Sequence, residues 1–369
     1  MAARRWATGH YNTCRASLWQ LADGRLGRRL PDLHHGPVSS LVQTVTGPVR
    51  AADLGRTLMH EHLTVGYPGF EAHTSRPGPN RADMVTVCVE RIRQLQEPGY
   101  SSMLDPCPSD LGRDVELMVE VAEATGFNII CATGLYKEEE GGTAYWRFKG
   151  QFEDVGAVMA DLFIAELTEG IGSTGVRPGI IKCATGPDVM TEYERMVFEA
   201  AARASVATGA PITTHTDRGT VGDLQQTVLT DGGVPAHRMI IGHSCGTTDT
   251  GYHAGIAERG SYLGFDRFGI GALMPDVERV ASLVRLLDRG AGDRVVVSHD
   301  SVWCWRGEPF PAAAMSRLAD VFDPTRFDRE IVPMLHDSGV TAGQVDALVV
   351  DNPRRFFEGE PLPGLPEPS

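Results

Sequence analysis

Two imidazoles separated by one residue, His60-Glu61-His62, are the first place in this chain where residue types and spacing suit chemistry. Along an extended strand alternate side chains share a face, so His60 and His62 point one way and Glu61 the other. Two inward imidazoles can grip a cation. Alone the motif says little, because a buried histidine is more often simply hydrogen-bonded within a core. Four more groups change the reading: Lys182 in IIKCAT, His215 in TTHTD, His243 in IIGHS and Asp300 in VVSHD each close an apolar run. Buried separately and unpaired, each would cost a few kcal/mol. One metal cluster satisfies them all.

The donors divide sensibly. His60, His62 and Asp300 can hold one ion, and His215 with His243 a second. Nitrogen and carboxylate ligands suit zinc, with cobalt, manganese or nickel as alternatives. An ammonium on Lys182 would repel two cations, but reaction with carbon dioxide turns it into a carbamate whose two oxygens can bridge both.

Such a set needs a scaffold that brings distant segments to one point. Eight short β-rich runs supply it: 57–63, 101–107, 128–136, 178–185, 210–217, 238–244, 261–267 and 294–300. Their starts lie about 34 residues apart on average, room for a strand, a loop, a helix and a loop. Between them, TEYERMVFEAAARASVATG opens with a Thr191/Glu194 capping box, sets Tyr193, Met196, Val197, Ala200 and Ala204 on one stripe, and stops at Gly209. DVELMVEVAEATG repeats the design and ends at Gly126. No GxGxxG or GxxxxGK[ST] loop follows the first strand, so closure is favoured over an open doubly wound sheet. The expected fold is α/β, a single (β/α)8 TIM barrel over residues 41–357 with a binuclear metal centre at the C-terminal strand ends. Residues 1–40 read as a disordered N-terminal extension, and 358–369 as a Pro/Gly-rich C-terminal tail.

Composition narrows the partners. The formal net charge is -14, which disfavours nucleic acid and anionic membrane, and a small-molecule substrate is expected instead. The seven cysteines, Cys14 among them, are scattered without a CxxC pair, against a disulfide framework and for a reducing cytoplasm. No apolar stretch is long enough to span a bilayer, and MAARRW leads into polar sequence rather than a signal-peptide core.

HEH after the first strand, Lys182, His215, His243 and Asp300, with LGRTLMHEH, LGRDVELM, ATGLY, GHSCGTTD and LGFDRFG in order, resemble the phosphotriesterase family of the amidohydrolase superfamily. The likeness runs from about Val42 to Phe357. It implies that Lys182 is N6-carboxylated, that a hydroxide bridges the two metals, and that Asp300 ligates one metal and shuttles the proton. A bound cation lowers the pKa of water from about 15.7 to about 7, so hydroxide is available at neutral pH. Tyr136 in ATGLY and Arg267 in FDRFG resemble residues of the lactonase-like members, whose barrels are often homodimers. The loops after strands 3 and 8, KEEEGGTAYWRF and SVWCWRGEP, depart from that pattern. Lys137, Trp146, Arg147, Trp303, Trp305 and Arg306 could form an aromatic, partly cationic pocket, whereas Glu138, Glu139 and Glu140 could be a solvated charge run. The expected activity is opening of lactones or cleavage of related carboxylic esters, with weaker phosphotriesterase activity. The alternatives are an N-acyl amidase or dedicated phosphotriesterase on the same centre, and, from another class, a non-catalytic metal- or ligand-binding barrel.

Overall fold

The computed structural model describes residues 40–366. The expected N-terminal extension thus falls almost wholly outside the described residues, as does Cys14. Eight strands follow one another in chain order: Arg56–Leu58 (β1), Tyr100–Asp105 (β2), Asn128–Gly134 (β3), Ile180–Ala184 (β4), Ile212–His215 (β5), Met239–Ile241 (β6), Tyr262–Phe265 (β7) and Val295–Val297 (β8). Each pairs in parallel with the next. The seam between β8 and β1 is closed by Met59 N–H donating to the Val297 carbonyl at 3.2 Å and Asp300 N–H to the His60 carbonyl at 3.0 Å. Beyond the rim, His62–Val65 and Val302–Trp305 pair in parallel and carry the seam outward. The chain is a (β/α)8 TIM barrel.

Alternation along the strands builds two cores. Ile129 and Cys131 join the large cluster shared with the helices, while Ile130 and Ala132 join a smaller one with Leu104, Ile180, Ile240, Tyr262 and Val296. Phe356 and Phe357, from the closing helix Asn352–Glu358, and Val42 of the N-terminal hairpin belong to that smaller cluster. It follows that the barrel interior is apolar toward the N-terminal strand ends, and polar groups are left for the other end. Lys182, two residues beyond Ile180, shares its parity.

The helices carry the expected punctuation. The helices flanking β4 are Val155–Thr168 before it and Glu192–Thr208 after it; the latter starts at a Thr191/Glu194 capping box and stops at Gly209, φ 77°. Glu194 also accepts Gly186 N–H at 2.8 Å and so ties down the loop after β4. The helix Val115–Thr125 is capped by Asp114 and Gly126. After the closing helix, residues 360–366 form no regular element, but the Pro363 carbonyl accepts from Arg294 Nη2 at 2.8 Å.

Several ladders are shorter than the apolar runs suggested. β1 stops at Leu58 and β8 at Val297, so His60 and Asp300 lie past the last paired residues. Asp300 and His243 have left-handed backbones, φ 55° and 57°, conformations that a strand cannot contain and that concentrate at functional sites.

Candidate metal centre

Six polar side chains converge at the C-terminal rim. His60, His62, Lys182, His215 and His243 are buried, and Asp300 is nearly so. His60 Nε2 stands 3.2 Å from Lys182 Nζ and 3.5 Å from Asp300 Oδ1, and His62 Nε2 stands 3.3 Å from that same oxygen. The His215 and His243 ring centres are 4.6 Å apart, as are those of His60 and His243. Every ligand expected from the sequence is therefore in one cluster. Glu61 turns away: its Oε1 accepts from Ser298 Oγ, His299 N and His299 Nδ1 at 2.7–2.8 Å. That bracing spans the seam and holds the turn that presents Asp300.

Close backbone approach packs the cluster. A Cβ on Gly134, φ 119°, would overlap the Lys182 carbonyl, and one on Gly242 the Thr214 carbonyl. Glycine is required at both positions.

Each histidine has a carboxylate behind it, which sequence reasoning did not anticipate. His62 Nδ1 meets Asp105 at 3.2 Å, His60 Nδ1 meets Asp266 at 3.3 Å, and His243 Nδ1 meets the other oxygen of Asp266 at 2.9 Å. His215 is reversed: its Nε2 meets Asp217 at 2.9 Å and its Nδ1 faces the Tyr136 hydroxyl at 3.4 Å. A carboxylate only accepts, so each fixes the ring N–H on its own side; at His60, His215 and His243 the opposite nitrogen keeps a lone pair toward the cluster, whereas His62 also faces a carboxylate oxygen of Asp300 on its inner side. The groupings of Asp266 with His60 and His243, and of Asp105 with His62 and Cys107, lie on this outer side. Asp105 and Asp266 end β2 and follow β7, the same polar-after-apolar signal that exposed the other six.

Burial favours the neutral form of most of the nitrogens in the cluster. Burial pulls the Lys182 amine down to about 8 and His215 down to about 3. Burial likewise sends His243 well below the ordinary imidazole range. Among the described residues its Nε2 is buried without a hydrogen-bond partner, 3.8 Å from Asp300 Oδ2. Burial works against the Asp300 carboxylate, yet the Arg267 guanidinium donating to its Oδ2 and the hydrogen bond from His62 hold it well below the carboxylate range. Burial also opposes a charged His62, but its bonds to Asp105 and Asp300 prevail and raise it well above. An orphaned nitrogen, anionic oxygens and lone pairs in one cluster fit divalent cations: His60, His62 and Asp300 could hold one, His215 and His243 another, with Lys182 beside His60 and the Thr214 carbonyl.

A cavity of about 140 Å³ opens on the cluster. Val65, Leu111, Ile270, Val302, Trp305 and Phe322 form its apolar wall. Arg267 Nε donates to Asp300 Oδ2 at 2.8 Å. A second cavity of about 350 Å³ shares Tyr67, Tyr136, His215 and Arg267 with the first, and adds Lys137, Glu140 and Asp217. The pocket expected from the two loops is only partly realised. Trp305 and Lys137 line cavities, but Trp146 is buried in the main core and Trp303 packs against it. Arg147 is drawn to Glu138 and Arg306 to Asp114. Glu138 and Glu140 have cationic partners, so the acidic run is not simply solvated.

The six described cysteines are buried and free. Among the described residues no helix is long and apolar enough to cross a membrane.

The model of the phosphotriesterase family matches residues 40–357. This chain belongs to the phosphotriesterase family. It is a metal-dependent hydrolase, and proteins of the family use a binuclear metal centre. Among relatives, the phosphotriesterase homology protein of Mycobacterium tuberculosis is 34% identical over 320 residues, covering 86% of this chain and 97% of the relative. The organophosphorus hydrolase from Deinococcus radiodurans superposes with a TM-score of 0.82 at 40% identity, covering 87% of this chain and 98% of that one. A further structure, described as organophosphate hydrolysis activity engineered from a weak promiscuous lactonase template, superposes at 0.81 with 40% identity, covering 86% and 99%.

Proposed function

We propose that this phosphotriesterase-family member hydrolyses lactones or related carboxylic esters, with phosphotriesters as weaker substrates. It would hold two divalent cations, zinc suiting the donors best, with a carboxylated Lys182 between them. When bound, the cations supply Lewis acidity that activates water and polarises the scissile carbonyl. The chain does the rest. Asp300 accepts the proton of the attacking water and returns it to the departing alkoxide, and Arg267 fixes its orientation through Oδ2. The Tyr136 hydroxyl donates to the ester oxygen. In a lactone the C–O bond breaks within the ring, so one hydroxy acid is the product.

The observation that carries this reading is the Tyr136 hydroxyl beside His215, in a cavity that Val65, Val302, Trp305 and Phe322 also line. A flat ester with an alkyl tail suits a donor beside an apolar wall. The neighbour described through a lactonase template supports the choice of ester. The buried free thiols among the described residues further suit a reducing cytoplasm.

Parallel kinetics test the assignment. Tyr136→Phe should lower lactone kcat/KM by about 5- to 150-fold, the value of a lost hydrogen bond of about 1–3 kcal/mol, and affect a phosphotriester less. Equal losses on both substrates would make Tyr136 a general support and remove the main argument for esters.

A further inference from the structure

The four histidine-backing contacts are not built alike. Asp105 is anchored to the backbone, its oxygens accepting Leu63 N–H at 2.9 Å and Cys107 N–H at 3.0 Å. Asp266 is anchored by His243 N–H at 2.9 Å. Both are buried on or next to barrel strands. Asp217 lies past the end of β5 with a half-buried side chain, and among the described residues no backbone donor reaches its carboxylate. Its Oδ1 accepts from His215 Nε2, and its Oδ2 accepts from Lys137 Nζ at 2.8 Å. Lys137 comes from the loop after β3, is itself buried, and meets Glu140 at 3.1 Å on its other side.

We propose that Lys137 is a positioning residue that sets how tightly the second cation is held. It does so by fixing Asp217, which in turn fixes the ring of His215 with Nδ1 inward. The other histidines owe their orientation to backbone-anchored aspartates, so removing Lys137 should free His215 alone. This inference rests on the reading of the cluster as a two-cation site. Carboxylates behind metal-binding histidines commonly contribute 10- to 100-fold in affinity, about the scale expected here.

The test loads purified enzyme with zinc or cobalt, dialyses it against a graded series of chelator, and counts ions per chain by mass spectrometry. Wild type should release two ions at separable chelator strengths. Lys137→Met should release the weaker or stronger one at about 10- to 100-fold lower chelator strength and leave the other unmoved. Lys137→Arg should recover most of the loss, because a guanidinium can still hold Asp217. Glu140→Gln removes the neighbour that does not touch Asp217 and should leave both ions in place. Asp217→Leu should reproduce Lys137→Met. Wild type with two ions and Lys137→Met with both unchanged would overturn the inference while leaving the hydrolase reading intact. Equal loss of both ions in Lys137→Met would also overturn it, since that marks general damage to the rim. A wild type that binds fewer than two ions would overturn the two-cation reading itself and the inference with it.

Discussion

Replacing Asp266 with asparagine should remove one cation and spare the other, and the structure says which. The wild-type carboxylate accepts three hydrogen bonds: Oδ1 takes His243 N–H and His243 Nδ1–H, both at 2.9 Å, and Oδ2 takes His60 Nδ1–H at 3.3 Å. Asparagine offers one acceptor oxygen and one donor nitrogen. The His243 backbone N–H can only donate, so the amide oxygen must take the Oδ1 place, and the NH2 group is turned toward His60. A donor facing Nδ1 forces the His60 proton onto Nε2, the nitrogen that looks at Lys182 and Asp300. That nitrogen then has no lone pair for a metal. His243 keeps both of its bonds and its inward Nε2. We expect the ion shared by His60, His62 and Asp300 to be held about 10- to 100-fold less tightly, or about 1.4–2.7 kcal/mol, with the ion at His215 and His243 little changed. Chelator competition with ion counting measures both, and nitrogen-15 spectra of the imidazoles report the His60 tautomer. An unchanged first ion, or a His60 proton still on Nδ1, would refute the reasoning.

Other consequences are equally direct. Lys182→Ala should lower metal content and activity together, and a short carboxylic acid with added metal should restore part of both, because it can replace a carbamate bridge; wild-type metal content in this variant would remove Lys182 from the cluster. Asp300→Asn should lower kcat at least about 10²-fold, the low end for a positioned proton carrier, whereas unchanged kcat would exclude it from proton transfer. Arg113 and Glu166 form a buried bidentate pair at 2.7 and 2.8 Å that includes none of these residues. Arg113→Met leaves Glu166 uncompensated and should cost about 3–5 kcal/mol of stability, read as a lowered Tm with both ions still bound in the folded protein at low temperature.

The barrel and the cluster of candidate ligands were legible because both rest on local pattern. Apolar runs ending in His215 or His243 mark strand and site at once, and the Thr191/Glu194 box with Gly209 marks one helix completely. Contacts between loops were not legible. Lys137 and Asp217 are 80 residues apart, and nothing in KEEEGG or THTDRG announces that they meet. Trp146 and Arg306 looked like pocket residues because their loops follow catalytic strand ends, but the folded loops turn Trp146 into the core and Arg306 to Asp114. The ends of β1 and β8 were over-extended for a physical reason: the left-handed turn at Asp300 breaks the ladder to aim the carboxylate. Local preference yields there to the site.

The central claim is tested most directly by purified enzyme, stripped of metal and reconstituted, assayed in parallel on a lactone with an alkyl tail, a phosphotriester and an N-acyl amino acid, with ions counted in the same preparation. The account predicts two ions per chain, turnover that vanishes on stripping and returns on reconstitution, and the highest kcat/KM on the lactone. Two bound ions with turnover of the N-acyl amino acid alone would contradict it.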